Sequence, residues 1–544
     1  MRSPSEINEV QADGWIWWKH GVIYQLYPRS FMDSNDDGIG DLRGVIEKLD
    51  YLKKLGIAAI WLSPIYQSPM EDYGYDIVDY RSIDPSYGTM DDFKELLSLA
   101  HQKGIRIIMD MVMNHSSHLH RWFIESKSSL DNPKRDWYIW KAKRNGKVPT
   151  NWKSAFGGSV WQWDQHTQQY YLHSFLKGQP DLNWRNKKLR EAFFDVFKFW
   201  LDLGVDGFRL DVINFIVKDK KFRDNMGSIW SWSFNAKLYS RNRDSSIKIV
   251  RNLRQLVDRY DDRMLVGEIY TPPPGNNKTV INYLGDGDNA LHLAFDFSLI
   301  FRFWNAHSYY KCIQSWEDNL PVKGWPSYVL SNHDILRSYN RLGIGNNKAA
   351  KAKISAILLL TLRGTPFIYY GEEIGMQNQK IKKRHIRDPL GKKLWPFFSG
   401  RDKSRTPMQW SDKKNGGFSK SKPWLPSNRN YLSVNVEKQK TDQNSLLNHY
   451  TRLMKIRNSY QALSAGRMIF EQTGENEILS YTRGFSHQRI HILLNFGNKK
   501  SIAGLPKGYQ WKVIFSTHKR LAESFENNIS LKPFEGIIFI REIV

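Results

Sequence analysis

The stretch LREAFFDVFKFWLDLGVDGFRLD, residues 189–211, contains the structural unit that the rest of the chain repeats. Its first part, Leu189–Leu203, has apolar residues at three- and four-residue spacing, which is typical of an amphipathic helix. The short apolar run Gly207–Leu210 follows and has the composition of a buried strand, and Asp211 comes directly after it. This order predicts a helix, a loop and a strand that ends on a carboxylate.

The same alternation continues in both directions from this stretch. Helix-like patterns occupy Gly44–Leu55 and Met90–Lys103. Eight apolar runs with strand composition lie between such patterns: Gly21–Leu26, Ile57–Leu62, Ile105–Met111, Gly207–Leu210, Met264–Val266, Leu293–Phe297, Tyr328–Leu330 and Pro366–Tyr369. Eight alternations of strand and helix predict an α/β fold, a parallel (β/α)8 TIM barrel with its helices outside.

Two regions depart from this alternation. Residues 114–185 are rich in Trp, Asn, Lys and Gly and predict a subdomain inserted after strand 3. Beyond residue 463, the segments Met468–Phe470, Glu477–Thr482 and His491–Asn495 alternate like strands and predict a small antiparallel β-domain. We therefore expect a barrel in two parts, 1–113 and 186–462, with an inserted domain at 114–185 and a C-terminal domain at 463–544.

Composition excludes several classes of protein. The chain has 544 residues, of which 41% are hydrophobic and 25% charged, as in soluble globular proteins and unlike disordered or fibrous ones. A single cysteine, Cys312, excludes an intrachain disulfide and a Cys-rich zinc site. The net charge of +25 is spread along the chain without an arginine-rich tail, although Lys380–Arg387 is a visible cluster. We interpret it as a solvated basic surface and expect no nucleic-acid partner.

The termini and hydropathy give expectations about location. Residues 1–20 lack the apolar core of a signal peptide, and no run of about 18 apolar residues occurs. The default expectation is a cytoplasmic protein with no membrane partner, present as a monomer or weak homodimer.

Acidic residues stand at the carboxyl ends of four of the apolar runs. Asp110 follows IRIIM, Asp211 follows GFRL, Glu268 follows MLVG, and Asp334 closes YVLSNH. A parallel barrel builds its active site at this end of its strands. The four placements together predict a pocket lined by carboxylates.

Basic residues accompany these acids. Arg209 lies two positions before Asp211, so both side chains project to the same side of the strand, and the guanidinium is expected to keep Asp211 ionised. His115 and His333 follow two of the same strand ends, where each is either a hydrogen-bond donor to a bound polyol or a satisfied structural histidine.

This set of residues suits glycoside hydrolysis. In the retaining mechanism one carboxylate attacks the anomeric carbon while a second, held protonated, donates to the leaving oxygen, the two lying about 5–5.5 Å apart. A third stabilises the developing positive charge. Aromatic rings stack on the apolar faces of sugars, which gives a use to some of the 21 tryptophans, while most are expected in the core.

A second acidic cluster follows the first apolar run. Oxygen ligands alternate with Gly38 at the sixth position, as in a loop for a hard cation, but position twelve is Gly44 where an EF-hand has glutamate. The cluster predicts one structural Ca²⁺ or Mg²⁺ ion, and the alternative is a polar turn. The expected ligands are Asp33, Asn35, Asp37, Ile39 and Asp41.

Seven motifs together resemble the α-amylase family of retaining glycoside hydrolases (family 13), and within it the oligo-1,6-glucosidase and α-glucosidase branch. The resemblance extends from about Trp17 to the C-terminus. The motifs are DYGYD (Asp72–Asp76), DMVMNH (Asp110–His115), QPDLNW (Gln179–Trp184), GFRLDVINF (Gly207–Phe215), VGEIY (Val266–Tyr270), SNHD (Ser331–Asp334) and SRTPMQW (Ser404–Trp410).

The resemblance implies a role for each matched residue. It makes Asp211 the nucleophile, Glu268 the general acid/base and Asp334 the transition-state stabiliser. It also implies an inserted domain B, a C-terminal β-domain, a Ca²⁺- or Mg²⁺-binding loop at Asp33–Asp41 and no organic cofactor. The residues expected around the glucose are Asp72, Tyr75, Asp110, His115, Phe156, Phe175, Arg209, His333 and Arg401.

Linkage preference depends on the residue after the nucleophile. Val212 resembles enzymes acting on α-1,6 bonds, whereas threonine or alanine there resembles those restricted to α-1,4 bonds. The segment YTPPPGNNKT, residues 270–279, departs from the oligo-1,6-glucosidase pattern near the expected site of the second sugar. The sequence favours an α-1,6 preference and leaves α-1,4 open.

The leading hypothesis is an exo-acting α-glucosidase that releases glucose from short oligosaccharides with retention. Two related alternatives are an α-transglucosylase or sucrose isomerase, and a hydrolase of a phosphorylated disaccharide such as trehalose 6-phosphate, which the basic charge favours. A non-catalytic relative, such as the barrel-bearing subunit of an amino-acid transporter, would have a transmembrane helix and lack the acids, which are all present here.

Overall fold

Eight parallel strands close into a barrel in the computed structural model, which describes residues 14–225, 239–271, 277–343, 345, 347–471 and 477–541. Each strand pairs with the next along the chain, and the eighth pairs with the first. The strands are β1 (Ile23–Leu26), β2 (Ala59–Leu62), β3 (Arg106–Val112), β4 (Gly207–Asp211), β5 (Met264–Gly267), β6 (Leu293–Asp296), β7 (Ser327–Val329) and β8 (Thr365–Tyr369). The TIM barrel predicted from the eight apolar runs is confirmed.

Helices connect the strands on the outside of the barrel. Local sequence marks several helix starts: Thr89 and Asp92 form a capping box, and Asn186 accepts the N–H of Leu189. The helices of the described residues are Trp17–His20, Leu42–Glu47, Leu49–Leu55, Met90–Gln102, Arg121–Ser128, Lys187–Asp202, Asp244–Val257, Asn277–Asn282, Ala306–Asn319, Ser338–Arg341, Lys348–Thr361, Pro389–Leu394, Val436–Thr441, Leu446–Ser459 and Gln461–Ser464.

One predicted helix is divided in the structure. The expected helix Gly44–Leu55 is two helices that meet at Lys48, whose backbone leaves helical geometry at φ −102° and ψ 4°. The Lys48 ammonium lies 5.0 Å from the centroid of the Trp410 ring, which is distant in sequence. The local sequence contains no helix-breaking residue at this position. The apolar pattern therefore predicts neither the division nor the contact with Trp410.

The alternation of side chains along the strands separates two apolar layers. Phe208 and Leu210 of β4 face outward and join the large core between strands and helices. Ile108, Val266 and Phe367 face inward and belong to a smaller cluster that fills the barrel. Arg209 and Asp211 share the inward face of β4, so the barrel interior changes from apolar to charged towards the carboxyl ends of its strands.

Further sheets lie outside the barrel. Between β2 and β3, Tyr66–Gln67 pairs with Asp79–Ile83, and between β3 and β4, Gln169–Leu172 pairs with both Trp140–Lys141 and Trp161–Asp164. After β8 comes an antiparallel sheet of six strands, Arg467–Phe470, Ile478–Phe485, Gln488–Asn495, Gly536–Arg541, Trp511–Ser516 and Ser524–Phe525, beside the pair Ser501–Gly504 and Asn528–Leu531. The predicted C-terminal β-domain is confirmed, while the domain boundaries at 114, 186 and 463 stay predictions.

Among the described residues, no helix is both long and apolar enough to cross a membrane.

Candidate functional site

The register of the barrel strands brings the first of the predicted acids together. Asp110 of β3 stands opposite Arg209 of β4, and Val112 stands opposite Asp211. Asp110 lies within β3, two residues before its end, and Asp211 is the last residue of β4. Glu268 directly follows β5, whose Val266 is paired with Arg209. Adjacent strands therefore present these side chains at one level of the barrel.

Arg209 is the buried centre of this group. Its Nη1 donates to Asp110 Oδ1 at 2.7 Å and to Asp211 Oδ1 at 2.6 Å, and its Nη2 donates to Glu268 Oε2. The Arg209 side chain is only 1% exposed. One cation thus serves three carboxyl groups far apart in sequence, which leaves the site with more acidic groups than the guanidinium can neutralise.

Burial and crowding raise the pKa of the acids around Arg209. Burial, with added repulsion from Asp110 and Asp334, raises the pKa of Asp211 to about 7, although Arg209 acts in the opposite direction. Burial, with repulsion from Asp211 and Asp334, raises the pKa of Glu268 to about 7. The expectation that Arg209 alone would keep Asp211 ionised is therefore incomplete, because the same guanidinium is shared.

Asp334 has the opposite electrostatic environment. Burial opposes its ionisation, but the two guanidinium groups of Arg401 and Arg405 hold the pKa of Asp334 far below its usual range. Arg405 Nη2 donates to Asp334 Oδ1 at 2.8 Å, and Arg401 Nη1 donates to the same oxygen at 3.2 Å. Asp334 is thus a permanent anion beside two acids whose pKa values lie near neutrality.

A chain of hydrogen bonds connects Asp110 to His333. The Tyr75 hydroxyl lies 3.1 Å from Asp110 Oδ2 and 2.6 Å from His333 Nε2, and Gln25 Nε2 lies 2.7 Å from His333 Nδ1. Burial lowers the pKa of His333 to about 3, so the ring is neutral at ordinary pH. Trp61 Nε1 donates to Asp110 Oδ2 at 3.2 Å, so Asp110 is also bound by a tryptophan of the barrel interior.

Arg401 closes one side of the site. Its Nη2 donates to Asp72 Oδ1 and to Asp388 Oδ1, both at 2.8 Å, and Gln179 Nε2 donates to Asp72 Oδ2 at 3.0 Å. The guanidinium lies 5.5 Å from the centroid of the Phe156 ring. These contacts join the segment after β2, the segment after β8 and the region between β3 and β4.

His115 and Phe175 form another wall. Their ring centroids are 5.2 Å apart, and His115 Nε2 lies 3.0 Å from the carbonyl oxygen of Tyr75. Burial lowers the pKa of His115, which therefore faces the site as a neutral ring. The Phe156 centroid is 6.3 Å from that of Phe175, so the two predicted aromatic residues lie together.

Val212 adopts a backbone conformation that is rare for a β-branched residue. Its φ is 35° and ψ 45°, in the left-handed region, and its N–H donates to Glu268 Oε2 at 3.4 Å. Such strain is maintained only where the surrounding structure imposes it. The turn after β4 thus places Val212, which directly follows Asp211, in contact with Glu268. Half of the segment 270–279, residues 272–276, lies outside the described residues.

Every predicted catalytic and sugar-contacting residue lies in this one network, but several of its members were not predicted. Arg405 and Gln179 lie inside quoted motifs, which was a usable signal. Asp388, Gln25 and Trp61 lie in no motif, and only the tertiary structure shows that they belong to the site.

The expected cation loop forms a hydrogen-bonded turn. Asp33 Oδ2 accepts the N–H of Gly38 at 2.8 Å, Asp37 Oδ1 accepts that of Ile39 at 2.7 Å, and Asp41 Oδ1 accepts that of Gly44 at 2.6 Å. Within the described part of the chain, no group of three or more His, Cys, Asp or Glu side chains is arranged to hold a metal ion. The three aspartates of the loop are therefore not gathered around one point, and the Ca²⁺ or Mg²⁺ ion stays a prediction.

Comparisons with known proteins agree with the fold. Residues 25–466 match the family model of the alpha amylase catalytic domain. The oligo-1,6-glucosidase of Parageobacillus thermoglucosidasius is 39% identical over 562 residues, covering 96% of this chain and 99% of the relative. The trehalose-6-phosphate hydrolase of Bacillus subtilis is 37% identical, covering 96% and 98%. The crystal structure of the alpha-glucosyl transfer enzyme XgtA superposes with a TM-score of 0.90 at 36% identity, covering 97% and 99%.

Proposed function

This chain belongs to the alpha-amylase family and is a glycoside hydrolase, and we propose that it is a retaining, exo-acting α-glucosidase of short oligosaccharides with a preference for α-1,6 bonds. The observation that carries the proposal is the sharing of Arg209 by Asp110, Asp211 and Glu268 beside the anionic Asp334. It supports a mechanism in which one acid attacks, one donates a proton and one stays charged throughout.

In the first step, an Asp211 oxygen attacks the anomeric carbon of the terminal glucose. Glu268 transfers its proton to the glycosidic oxygen as the bond between that oxygen and the anomeric carbon breaks. Two neighbouring buried carboxyls whose pKa values both lie near 7 hold one proton between them most readily. The reactive form has that proton on Glu268 and leaves Asp211 ionised.

In the second step, a water molecule replaces the departed sugar. Glu268, now a carboxylate, takes a proton from the water, whose oxygen attacks the anomeric carbon and breaks the ester bond to Asp211. Two inversions give net retention. Asp334 stays ionised through both steps and stabilises the positive charge that develops on the sugar ring, since Arg401 and Arg405 keep its pKa low.

The closed side of the site supports exo action. The contacts of Arg401 with Asp72 and Asp388, under the ring of Phe156, join three segments of the chain across one end of the network. A polysaccharide bound at an internal position would have to pass through this junction, whereas the end of a short chain would not. We therefore place the terminal glucose between this wall and Asp211.

The α-1,6 preference rests on Val212. Its strained backbone directs the segment after the nucleophile candidate towards Glu268, next to the leaving group. The test is to compare rates on isomaltose and maltose and to follow the anomer of the released glucose by NMR. Release of β-glucose from either substrate would overturn the retaining mechanism, and faster maltose hydrolysis would overturn the linkage preference.

Two alternatives have specific support. The structural relative named as an alpha-glucosyl transfer enzyme supports transfer of the glucosyl group to a sugar in place of water. Exposed Lys382, Lys383 and Arg384 shortly precede Asp388, which binds Arg401, and this placement favours a phosphorylated disaccharide. Product analysis at high substrate concentration tests the first alternative, including isomerisation of sucrose, and a comparison of trehalose 6-phosphate with trehalose tests the second.

A further inference from the structure

The residues that contact Asp334 directly are only part of what holds it in place. Asp334 lies on the loop 331–337, between β7 and the helix Ser338–Arg341. Within the loop, Asn332 Oδ1 accepts the N–H of Asp334 at 2.9 Å, which forms a local turn. The position of this turn relative to Asp211 and Glu268 depends on how the two ends of the loop are fixed.

Arg341 binds both ends of the loop. Its Nη2 donates to the carbonyl oxygen of Leu330, and its Nε donates to that of Leu336 at 3.3 Å. Its Nη1 donates to the carbonyl oxygen of Ile300, which follows β6. One guanidinium therefore closes the neck of the loop and attaches it to the neighbouring strand connection.

Glu372 binds the same loop from the other side. It lies in the short turn Glu372–Ile374 after β8, and its Oε2 accepts the hydroxyl of Ser331 at 2.5 Å. Its Oε1 lies 3.3 Å from the hydroxyl of Tyr450, on the helix Leu446–Ser459. The carboxyl group is buried and lies close enough to Arg341 to interact with it electrostatically.

The segment after β8, which contains Glu372, also binds Arg337 at the end of the loop. Arg337 Nη1 donates to the carbonyl oxygen of Tyr370 at 2.6 Å, and its N–H donates to Asn378 Oδ1 at 3.1 Å. The segment after β8 thus holds the loop at Ser331 and at Arg337, its first and last residues. These bonds use the Ser331 hydroxyl and the N–H and guanidinium of Arg337, and none of them uses the Asp334 carboxylate.

We propose that Arg341 and Glu372 are positioning residues for Asp334, which hold the two ends of its loop so that the carboxylate faces the anomeric centre. The proposal rests on the proposed function, since it assigns its effect to the role of Asp334 in the transition state. A displacement of about 1 Å of a catalytic group lowers rates by about 10²-fold. Loss of either residue is therefore expected to lower kcat and to leave KM nearly unchanged.

The experiment compares Arg341→Met, Arg341→Lys, Glu372→Gln and Ser331→Ala with a matched pair at the opposite end of the barrel. That pair is Arg363 and Glu317, whose Nε and Oε2 are 2.7 Å apart and whose side chains are 17% and 18% exposed. Arg363→Met and Glu317→Gln are expected to lower thermal stability and leave kcat and KM within about twofold. Arg341→Met and Glu372→Gln are expected to lower kcat by about 10- to 100-fold.

Two of these variants, Ser331→Ala and Arg341→Lys, keep the test decisive if Arg341→Met or Glu372→Gln prevents folding. Ser331→Ala removes a single hydroxyl and is expected to lower kcat by a few-fold with KM unchanged. Arg341→Lys retains a charge and one or more donors and should restore part of the activity lost in Arg341→Met. Losses of kcat no larger than those of the Arg363 and Glu317 variants would overturn the proposal.

A double-mutant cycle separates this proposal from the proposed function. If Arg341 acts through Asp334, adding Arg341→Met to Asp334→Asn lowers kcat little further. Independent, multiplying losses would overturn the positioning role. A small effect of Asp334→Asn alone would instead contradict the proposed mechanism, whatever Arg341 does.

Discussion

The two ends of β4 carry aspartates in opposite electrostatic environments. At the amino end, Asp206 precedes the strand and accepts from the Nη1 of Arg106 at 2.9 Å and from the N–H of Ile107 at 2.8 Å. His101 Nε2 lies 2.6 Å from it, and Arg263 Nη1 lies 3.5 Å away. At the carboxyl end, Asp211 shares Arg209 with two other acids. One end surrounds an acid with donors, and the other surrounds a donor with acids.

This difference shows what each end of the barrel contributes. The donors around Asp206 link β3, β4 and the approach to β5, so the amino end uses charge to stabilise the fold. The acids around Arg209 are buried with too little positive charge, which raises the pKa of Asp110 to about 6 and that of Asp211 and Glu268 to about 7. The acids at the carboxyl end thus lower the stability of the fold, and their carboxyl groups titrate near neutral pH, as is typical of functional sites.

The largest expected effect comes from Asp211→Asn. We expect it to lower kcat by about 10⁴-fold or more, because no nucleophile remains, while the fold and sugar binding persist. Steady-state kinetics and calorimetric titration with isomaltose check the result. Appreciable hydrolysis by a preparation free of wild-type enzyme would contradict the assignment of the nucleophile.

Glu268→Gln is expected to have a large effect that depends on the substrate. Loss of the proton donor should lower hydrolysis of isomaltose by about 10²- to 10⁴-fold and of an activated aryl α-glucoside far less in the first step, because that leaving group needs no proton. Azide added with the aryl substrate should restore turnover by replacing water in the second step. Equal losses on both substrates, without rescue, would argue against the acid/base role.

Asp206→Asn tests the amino end of the same strand. It should lower the free energy of unfolding by about 1–3 kcal/mol, less than for a fully buried pair, because the basic partners are partly exposed. We expect kcat and KM within about twofold of wild type when measured well below the unfolding temperature. A specific loss of kcat in Asp206→Asn would remove the distinction between the two ends.

The pH dependence of stability sharpens the comparison further. Glu268 has a pKa of about 7 in the native protein and an ordinary value of 4.5, so the native state binds its proton more tightly than the unfolded state. The stability that this group contributes is complete below about pH 4.5 and is lost as the pH rises towards about 7. Glu268→Gln should therefore gain stability relative to wild type between about pH 5 and pH 8, as followed by urea denaturation. A constant difference across this range would contradict the raised pKa.

The smallest expected effect concerns the loop Asp33–Asp41. If the loop holds the structural ion that its sequence predicts, EDTA should lower the melting temperature by a few degrees, Ca²⁺ or Mg²⁺ should restore it, and kcat should not change. Asp37 is an exposed member of the predicted ligand set, and Asp37→Asn should make the EDTA-induced decrease in melting temperature smaller. A melting temperature indifferent to EDTA would leave the loop as the hydrogen-bonded turn that the structure shows.

Sequence patterns reached much of the fold and of the site. Apolar runs located all eight barrel strands, and the acids predicted at their ends, among them Asp211, Glu268 and Asp334, lie in one network in the structure. The patterns missed the division at Lys48 and the residues Asp388 and Arg341, because hydrophobic periodicity carries no information about these polar contacts. They also missed the raised pKa of Asp211, which reflects how many acids share Arg209 and not the spacing of the two residues on β4.

The sequence by itself determined which residues alternate on strands and helices, and hence the barrel and the end at which its acids collect. Only the tertiary structure decided their partners. Arg401 meets Asp72 across 329 residues, and Arg209 meets Glu268 across 59. The physical reason is that hydrophobic periodicity acts locally, whereas the ionisation of a buried acid depends on every charge that barrel closure brings near it.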